Sequence, residues 1–328
     1  MSRAAAPPAR ELDPGDPGVR RAWAALAETA EPSPFAPLAT AQATAQAFGL
    51  RVRAFGAEQD GALVGGVVAY EKRRGPYRLA VVPPLTPVTP FVLAGAPSAH
   101  EVHARASPLD ALVAAVGGRF HAAAFRLRPG VGDVRPFTWA GWTAVPRYTY
   151  ADVLRPAQER LARASKAVRK RVRRDAGDFE LVEEPGNVAA LQALEAEVWA
   201  GQGIAPPVTP GRQAAWLRAL VAADGARLFV LRDDAGAAAG AQAVVTDGRA
   251  AAFASGAARP GSAMTVLTHL VCERLWADGV RHLDLVGANL PSVAEFKRAF
   301  GLPLVVQFRV SRVARPELRA LALVRPVV

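Results

Sequence analysis

A segment of helical length, residues 160–174, carries eight basic side chains and no acidic one. Apolar residues recur in it at helical spacing, which predicts an amphipathic helix with one cationic face. Eight like charges on one helix repel one another, and a polyanionic partner would offset that repulsion. The sequence therefore predicts a polyanion-binding surface, against the alternative of a solvated helix with structural arginine pairs. The residues assigned to that surface are Lys166, Arg169, Lys170 and Arg173.

A carboxylate and an amide stand at the end of a predicted buried strand, residues 282–286. Asp284 lies in this strand and Asn289 follows it. A carboxylate in this position can orient a nucleophilic amine, or it can cap the helix that follows. Asp284 and Asn289 are therefore candidate substrate-binding residues. The chain has no Cys/His cluster with zinc spacing, and we predict no metal site.

The composition is that of a protein that buries a large core. Hydrophobic residues make up 51% and charged residues 21% of the 328 residues, and this length suits about two domains. The single cysteine, Cys272, excludes an intramolecular disulfide and favours a reducing compartment. We find neither a signal peptide nor an apolar stretch that approaches a membrane span of ~18 residues. The net charge is +11, and it is nearly balanced outside residues 160–174. We expect a cytoplasmic protein.

The two halves of the chain repeat one order of elements. Each half has a predicted β-hairpin with an Asp/Gly turn, then a strand, a helix that ends in glycine, and a buried strand. The helices are predicted at 107–116 and 264–278, and the buried strands at 121–127 and 282–286. Each half then closes with a long strand, within 136–153 and within 296–313. Chance recurrence of Ala, Gly and Val runs is the alternative, but a shared order of elements favours duplication.

Three stretches of the second half resemble the Fem-type transferases. These tandem-GNAT proteins include peptidoglycan bridge-forming aminoacyltransferases and relatives described as acetyltransferases. The stretches are the basic helix at 165–174, a glycine-ended helix with an Asp-containing strand at 275–287, and residues 295–301. The last reads Glu-Phe-Lys-Arg-Ala-Phe-Gly and is close to the Phe-Lys-x-x-Phe-Gly signature of the family. The resemblance covers about residues 150–313.

The resemblance implies a fold and a domain division. It implies an α/β (α+β) chain with two tandem GNAT-like domains, each a mixed, mostly antiparallel twisted sheet flanked by helices. We expect residues 1–18 to be a disordered tail and 19–149 to be the first domain, with 315–328 packing back on it. Residues 150–314 then form the second domain.

The resemblance also implies roles for individual residues. In Fem-type enzymes the lysine of the signature supplies positive charge near the donor ester, where a tetrahedral oxyanion forms. By motif position this catalytic role falls on Lys297, with Phe296 shaping the pocket, and a solvated lysine on an amphipathic helix is the alternative. Acetyl-CoA-using GNAT enzymes hold the cofactor diphosphate on an Arg/Gln-x-x-Gly-x-Gly/Ala turn before the central helix. The corresponding loop here is one residue short, and Pro260 removes an amide donor. Its candidate cofactor-binding residues are Arg259, Gly261 and Ser262.

The leading function is therefore transfer of an activated acyl group to an amine acceptor. The preferred donor is aminoacyl-tRNA, and the resemblance suggests a role in cell-wall peptide synthesis. The alternatives are an acyl-CoA-dependent N-acetyltransferase and a catalytically degenerate GNAT pair that binds a polyanion. No cofactor is firmly implied. The polyanionic partner is tRNA or CoA, and peripheral contact with an acidic membrane surface is a further use of the basic face.

Overall fold

The computed structural model describes residues 7–95, 98–104, 106–203, 205–315 and 317–320. From the N-terminus the chain forms β1 (Ala9–Leu12), α1 (Pro17–Thr29), α2 (Leu38–Phe48), β2 (Arg51–Gln59), β3 (Ala62–Arg74), β4 (Tyr77–Val81), β5 (Phe91–Leu93), α3 (Ala99–Ala104), α4 (Pro108–Arg119), β6 (Ala122–Arg126), α5 (Arg135–Trp139) and β7 (Thr143–Val153). It continues with α6 (Ala157–Arg163), α7 (Lys166–Asp175), β8 (Phe179–Glu183), α8 (Val188–Gln202), α9 (Pro210–Ala222), β9 (Ala226–Asp233), β10 (Ala238–Thr246), β11 (Ala250–Ala258), α10 (Ala263–Ala277), β12 (His282–Asp284), α11 (Pro291–Arg298), β13 (Leu304–Val313) and α12 (Glu317–Ala320). No helix in these ranges has the length and apolar character that a membrane crossing needs.

The described residues form two compact units. Unit 1 comprises those within Met1–Glu31, Ala36–Arg147 and Val306–Val328, and unit 2 those within Pro32–Phe35 and Tyr148–Val305. Each unit contains the predicted hairpin, β2–β3 in unit 1 and β9–β10 in unit 2. The turn of the first hairpin has positive φ at Asp60 and Gly61, as a tight turn between twisted strands requires.

Both units repeat one sheet pattern, as the duplication predicts. In unit 1, β3 pairs antiparallel with β4, β4 pairs parallel with β6, and β6 pairs antiparallel with β13. In unit 2, β10 pairs antiparallel with β11, β11 pairs parallel with β12, and β12 pairs antiparallel with β7. The predicted α/β class with mixed, mostly antiparallel sheets is confirmed.

The closing strands correct the predicted domain division. In the sheet of unit 1, the strand next to β6 is β13, which comes from the C-terminal part of the chain. In the sheet of unit 2, the strand next to β12 is β7. The sequence predicts that each half closes with its own last strand and that residues 150–314 form one domain, whereas the described residues from Val306 onwards belong to unit 1. Leu318 is fully buried against Leu79 and Ala122 of the same unit, and residues 316 and 321–328 lie outside the described part.

The predicted tail is also partly wrong. Residues 1–6 lie outside the described part of the chain, but Ala9–Leu12 pairs antiparallel with β2, and Leu12 is buried. The Asp16 side chain then accepts hydrogen bonds from the backbone N–H groups of Gly18 (2.6 Å) and Val19 (3.0 Å), with Pro17 in the first turn of α1. Asp16, Pro17 and Gly18, which the prediction placed in the tail, thus form the N-cap and the first turn of α1.

The sheet of unit 1 is covered on both faces. Along β3, Val67 and Ala69 pack with α4 in one cluster, while Val68 and Tyr70 pack with α1 and α2 in another, as alternation along a strand requires. Helix α4 runs through Gly117 and Gly118 to Arg119, so these glycines do not end it as predicted. Instead, the Arg312 guanidinium donates a hydrogen bond to the carbonyl oxygen of Gly117 (3.1 Å). A Cβ at Gly117 would lie 2.7 Å from Nη1 of Arg312, so glycine leaves room for this contact.

The basic segment forms two helices rather than one. Helix α6 ends at Arg163, and Ser165 caps α7 by accepting the backbone N–H of Val168 (3.3 Å). The predicted apolar stripe is confirmed, because Ala164, Val168 and Val172 are buried against residues of the α11 region. The break lets the chain meet α11, since the backbone N–H of Ser165 donates to the carbonyl of Ala299 (2.8 Å).

Gly301 permits this contact at its closest point. Its φ is +79°, and a Cβ placed there would lie 2.4 Å from the carbonyl oxygen of Arg163. Both the left-handed backbone and the lack of a side chain are therefore required.

We predict that Gly301→Ala destabilises unit 2 by about 2–4 kcal/mol, because it adds a steric clash to the cost of a left-handed alanine. Chemical denaturation followed by circular dichroism measures the loss. Gly279→Ala is the matched control: its φ is +93° and no atom lies within 4 Å of the added Cβ. The control isolates the backbone cost of about 1–2 kcal/mol. Equal losses in the two variants would contradict the steric argument.

Candidate functional site

The chain enters a left-handed turn directly after β12. Asp284 is the last residue of β12, and Val286 and Gly287 follow with φ of 54° and 70°. A β-branched residue is rare in this region and costs of order 1–3 kcal/mol, so the surroundings must hold Val286 there. The turn presents the carbonyl oxygens of Val286 and Gly287 to one cation, the ammonium of Lys297.

Lys297 lies near the end of α11 and is half-buried. Its Nζ donates to the carbonyl oxygen of Val286 and to that of Gly287 (3.1 Å). Burial lowers the pKa of Lys297 to about 8, and the charge of Asp284 opposes this shift. An ammonium has three N–H donors, and the described residues accept from only two of them. The third is available to a substrate oxygen, so Lys297 can act on an oxyanion.

Asp284 is the anionic partner in this site. Its Oδ1 accepts from the hydroxyl of Thr149 and from the backbone N–H of Val286 (2.7 Å). Burial raises the pKa of Asp284, although both hydrogen bonds and the charge of Lys297 favour its ionised form. Burial therefore drives both members of the pair towards neutrality. Shifted pKa values of this kind cluster at functional sites.

The aromatic residues of the predicted signature support α11. The rings of Phe296 and Phe300 meet edge to face with centroids 5.1 Å apart. Phe300 also packs in the cluster of Val168 and Val172 from α7. Phe296 is half-buried beside Lys297 along the chain, and the ring pair fixes the last turn of the helix that carries the ammonium.

Asn289 serves the backbone of β7. Its Oδ1 accepts from the N–H of Tyr148 (3.1 Å), and its Nδ2 donates to the carbonyl of the same residue (3.1 Å). The side chain thus imitates a paired strand and anchors the loop after β12. Asn289 therefore has a structural role in holding the loop two residues after Gly287. These hydrogen bonds account for the residue without the predicted substrate contact.

The side chains of the predicted diphosphate loop interact with carboxylates of the protein itself. Arg259 forms an ion pair with Asp233 (3.1 Å), and Gly261 has a φ of 112°. Ser262 stands at the start of α10 and hydrogen-bonds the carboxylate of Asp175. The Arg174 hydrogen bond, and then that of Ser262, lowers the pKa of Asp175 to about 2. A carboxylate therefore sits where a helix N-terminus would hold a phosphate.

The predicted polyanion surface is exposed on α7. Lys166, Lys170 and Arg173 are exposed, while Arg169 is half-buried and donates to the carbonyl of Ala164. Of the eight basic residues of 160–174, Arg163 and Arg174 form salt bridges with described carboxylates. Most of the positive charge on this face is thus uncompensated within the described ranges.

Sequence reasoning missed part of this site. Thr149 is fully buried and reaches Asp284 from β7, which is far away in sequence. It also missed a pocket in unit 2, whose lining includes Cys272, Leu283 and Phe300 together with Arg155 and Arg163. No local signal marks either feature, but the Asp-x-Val-Gly run after the strand does mark the turn that faces Lys297.

The comparisons with known proteins address the fold. Residues 158–298 match the model of the acetyltransferase (GNAT) domain family. The structure of FemX is similar at a TM-score of 0.74 and 11% identity, over 95% of this chain and 99% of that one. A tandem GNAT protein from the clavulanic acid biosynthesis pathway is similar at 0.56 and 16%, over 94% and 98%. The C-terminal domain of a putative lysylphosphatidylglycerol synthetase from Agrobacterium fabrum is similar at 0.54 and 16%, over 92% and 94%.

The search of curated proteins finds no match. The GNAT match covers most of unit 2, and both units share the sheet pattern described above. The GNAT family match therefore covers residues 158–298, and the chain as a whole has the fold seen in FemX and in the tandem GNAT protein.

Proposed function

We propose that the protein transfers an activated acyl group from aminoacyl-tRNA to an amine acceptor, with the reaction centred on Lys297 and Asp284 in unit 2. One observation carries the proposal: a half-buried ammonium is fixed by two backbone carbonyls and interacts electrostatically with the half-buried carboxylate of Asp284. The similarity to FemX and to a lysylphosphatidylglycerol synthetase domain supports it at the level of the fold.

The two charged groups have complementary tasks in such a reaction. The acceptor nitrogen attacks the ester carbonyl, an N–C bond forms, and the C–O bond to the donor breaks. Lys297 stabilises the oxyanion with its unused N–H, in a setting where a fixed donor is worth far more than in water. Asp284 takes the proton that the attacking amine loses and returns it to the departing ribose oxygen, so that the tRNA leaves with a free hydroxyl. The donor ester is already activated, so positioning supplies much of the remaining rate.

The charge distribution favours a nucleic-acid donor. The exposed cations of α7 offer several phosphate contacts, and α7 is tied to α11 through Ser165 and Ala299. The N-terminus of α10 carries the Asp175 carboxylate, which repels a second anion there. Both observations support tRNA over CoA as the donor.

An acyl-CoA donor is the second candidate. The match of residues 158–298 to an acetyltransferase family favours it. Parallel titrations with a nonhydrolysable aminoacyl-tRNA and with CoA separate the two donors. Micromolar CoA binding without tRNA binding would show that acyl-CoA, and not aminoacyl-tRNA, is the donor. Binding of tRNA without acyl transfer would indicate a catalytically degenerate GNAT pair.

We predict that Lys297→Ala lowers kcat by about 10²–10³, the usual loss for a single oxyanion donor. Single-turnover transfer from aminoacyl-tRNA to an amine acceptor measures it, and tRNA affinity should stay near that of the parent. Arg298→Ala is the matched control, since Arg298 is exposed and adjacent. A Lys297→Ala variant with parental kcat would remove Lys297 from the mechanism.

The pH profile tests the state of Lys297. Its pKa is lowered to about 8, so the ammonium is present below that pH and is lost as pH rises through it. We predict that kcat falls as pH rises above about 8. Lys297→Arg should remove this limb, because a guanidinium stays charged throughout. If the limb persists in Lys297→Arg, another group is responsible for it.

The basic surface has a separate signature in salt dependence. We predict that replacing Lys166, Lys170, Arg171 and Arg173 with Gln weakens tRNA binding and lowers the slope of log K against log salt by about 3. Filter binding over a range of salt concentrations measures both. The control removes four exposed cations of unit 1, namely Arg21, Arg51, Lys72 and Arg74. Equal losses in the two variants would show that net charge, rather than α7, governs binding.

A further inference from the structure

The pocket of unit 2 lies on the face of β12 that α10 covers. Its lining comes from the end of β7, from α6 and α7, from the middle of α10, from β12 and from the turn after α11. Leu283 and Leu285 line it and belong to the hydrophobic cluster of this face, so Asp284 between them points to the opposite face by strand alternation. The pocket is therefore separate from the carboxylate of the proposed transferase site.

The inner wall of the pocket is apolar or neutral. Leu283 and Cys272 are buried, and burial raises the pKa of the Cys272 thiol to about 11. Burial also lowers the pKa of His269, so its imidazole is uncharged near pH 7. The Thr268 hydroxyl donates to the carbonyl of Met264 (2.8 Å) and is satisfied within the helix. Such a cavity holds water poorly and accepts hydrocarbon instead.

Three arginine side chains line the same pocket, namely Arg155, Arg160 and Arg163. The carboxylate of Asp152 contacts Arg163 (2.7 Å) and, at a longer distance, Arg155 (3.9 Å). Glu159 contacts Arg155 from the exposed side (3.8 Å). Two carboxylates thus serve three guanidinium groups, which leaves one positive charge over.

Arg160 is the guanidinium group that pairs with no carboxylate among the described residues. Its Nη1 donates to the carbonyl of Arg155 (2.7 Å) and its Nη2 donates to the carbonyl of His269 (3.3 Å). The nearby carboxylate of Glu273 contacts Nε2 of His269 instead (3.5 Å). Two backbone carbonyls therefore fix the Arg160 guanidinium beside α10, and they use two of its five N–H donors.

Arg155 offers a second donor. Its Nε is buried, and no atom of the described residues accepts a hydrogen bond from it. The Arg155 side chain as a whole is 40% exposed, so solvent reaches its outer end. A buried donor without a partner is costly, and an oxygen atom of a ligand in the pocket would satisfy it.

The free space in the pocket limits the size of the ligand. The pocket offers about 40 Å³ to the centres of water-sized molecules, and one water needs roughly 10–15 Å³ on this measure. The interior therefore has room for about three groups of the size of a methylene.

We propose that this pocket binds a short aliphatic monocarboxylate, with about three carbons in the apolar interior and the carboxylate on Arg160 and Arg155. A planar guanidinium matches the two oxygens of a carboxylate. The single negative charge of the ligand balances the one positive charge left over, whereas a phosphate monoester carries about −2. The site does not depend on the proposed transferase activity.

Titration of the full-length protein with butyrate at constant ionic strength tests the site, by calorimetry and by thermal unfolding. The parent should bind saturably and unfold at a higher temperature with butyrate present. Affinity should rise about threefold to fourfold per methylene from acetate to butyrate, because each methylene is buried. It should stop rising once the chain exceeds the interior.

The chemistry of the head group has its own test. Butan-1-ol and butylamine share the hydrocarbon chain of the ligand but lack the negative charge, and they should bind at least about tenfold more weakly than butyrate. Butyl phosphate should bind no more tightly than butyrate.

Two variants separate the head group from the chain. Arg160→Gln should lower the affinity for butyrate at least about tenfold and leave the weak binding of butan-1-ol unchanged. Cys272→Met fills the pocket with a flexible apolar side chain, so it should unfold near the temperature of the parent and bind neither compound. Arg218→Gln is the matched control, since it removes an exposed arginine of α9 in the same unit, and it should bind butyrate as the parent does.

Several results would overturn the proposal. They are absence of saturable butyrate binding by the parent, an equal loss of affinity in Arg160→Gln and Arg218→Gln, and undiminished butyrate binding by Cys272→Met. Affinity that keeps rising as far as decanoate, or tighter binding of butyl phosphate or butylamine than of butyrate, would also contradict a short monocarboxylate.

Discussion

The ammonium of Lys297 is held by two backbone carbonyls that point towards it only because Val286 and Gly287 adopt left-handed φ values. A strand that continued straight after Asp284 would point successive carbonyls in opposite directions. The turn therefore decides where the cation stands, and the same turn directs the Val286 N–H back to Asp284. The strain of a left-handed valine is the cost of bringing both charges to one place.

The surrounding packing keeps this arrangement in place. Helix α11 is fixed on one side by the edge-to-face contact of Phe296 with Phe300, and it is followed by Gly301, which lies against the end of α6. Asn289 anchors the intervening loop to Tyr148. Each contact is local and modest in energy, but together they leave the Lys297 side chain few alternatives, which is how proteins preorganise a charged group.

The charged groups of unit 2 lie in three different environments. The cations of α7 are solvated and free to meet a flexible polyanion, so their effect is long-ranged and sensitive to salt. The ammonium of Lys297 is half-buried, and the main effect of this burial is to lower its pKa. At the start of α10, Asp175 supplies the negative charge that the helix dipole favours. One net charge of +11 therefore describes three different electrostatic environments.

The sequence by itself determined the order of elements, the repeat, the apolar stripe of α7 and the helix that carries Lys297. These features depend on periodicity, caps and turns, which are set by residues close together in the chain. Only the tertiary structure decided which strand closes each sheet. Apolar and polar residues alternate similarly in β7 and β13, so neither pattern identifies the strand with which it pairs. The tertiary structure likewise decided that Thr149 meets Asp284 and that Asp175 meets Ser262. Those contacts join residues far apart in sequence, and burial, which sets their pKa shifts and strengths, exists only once the chain has folded.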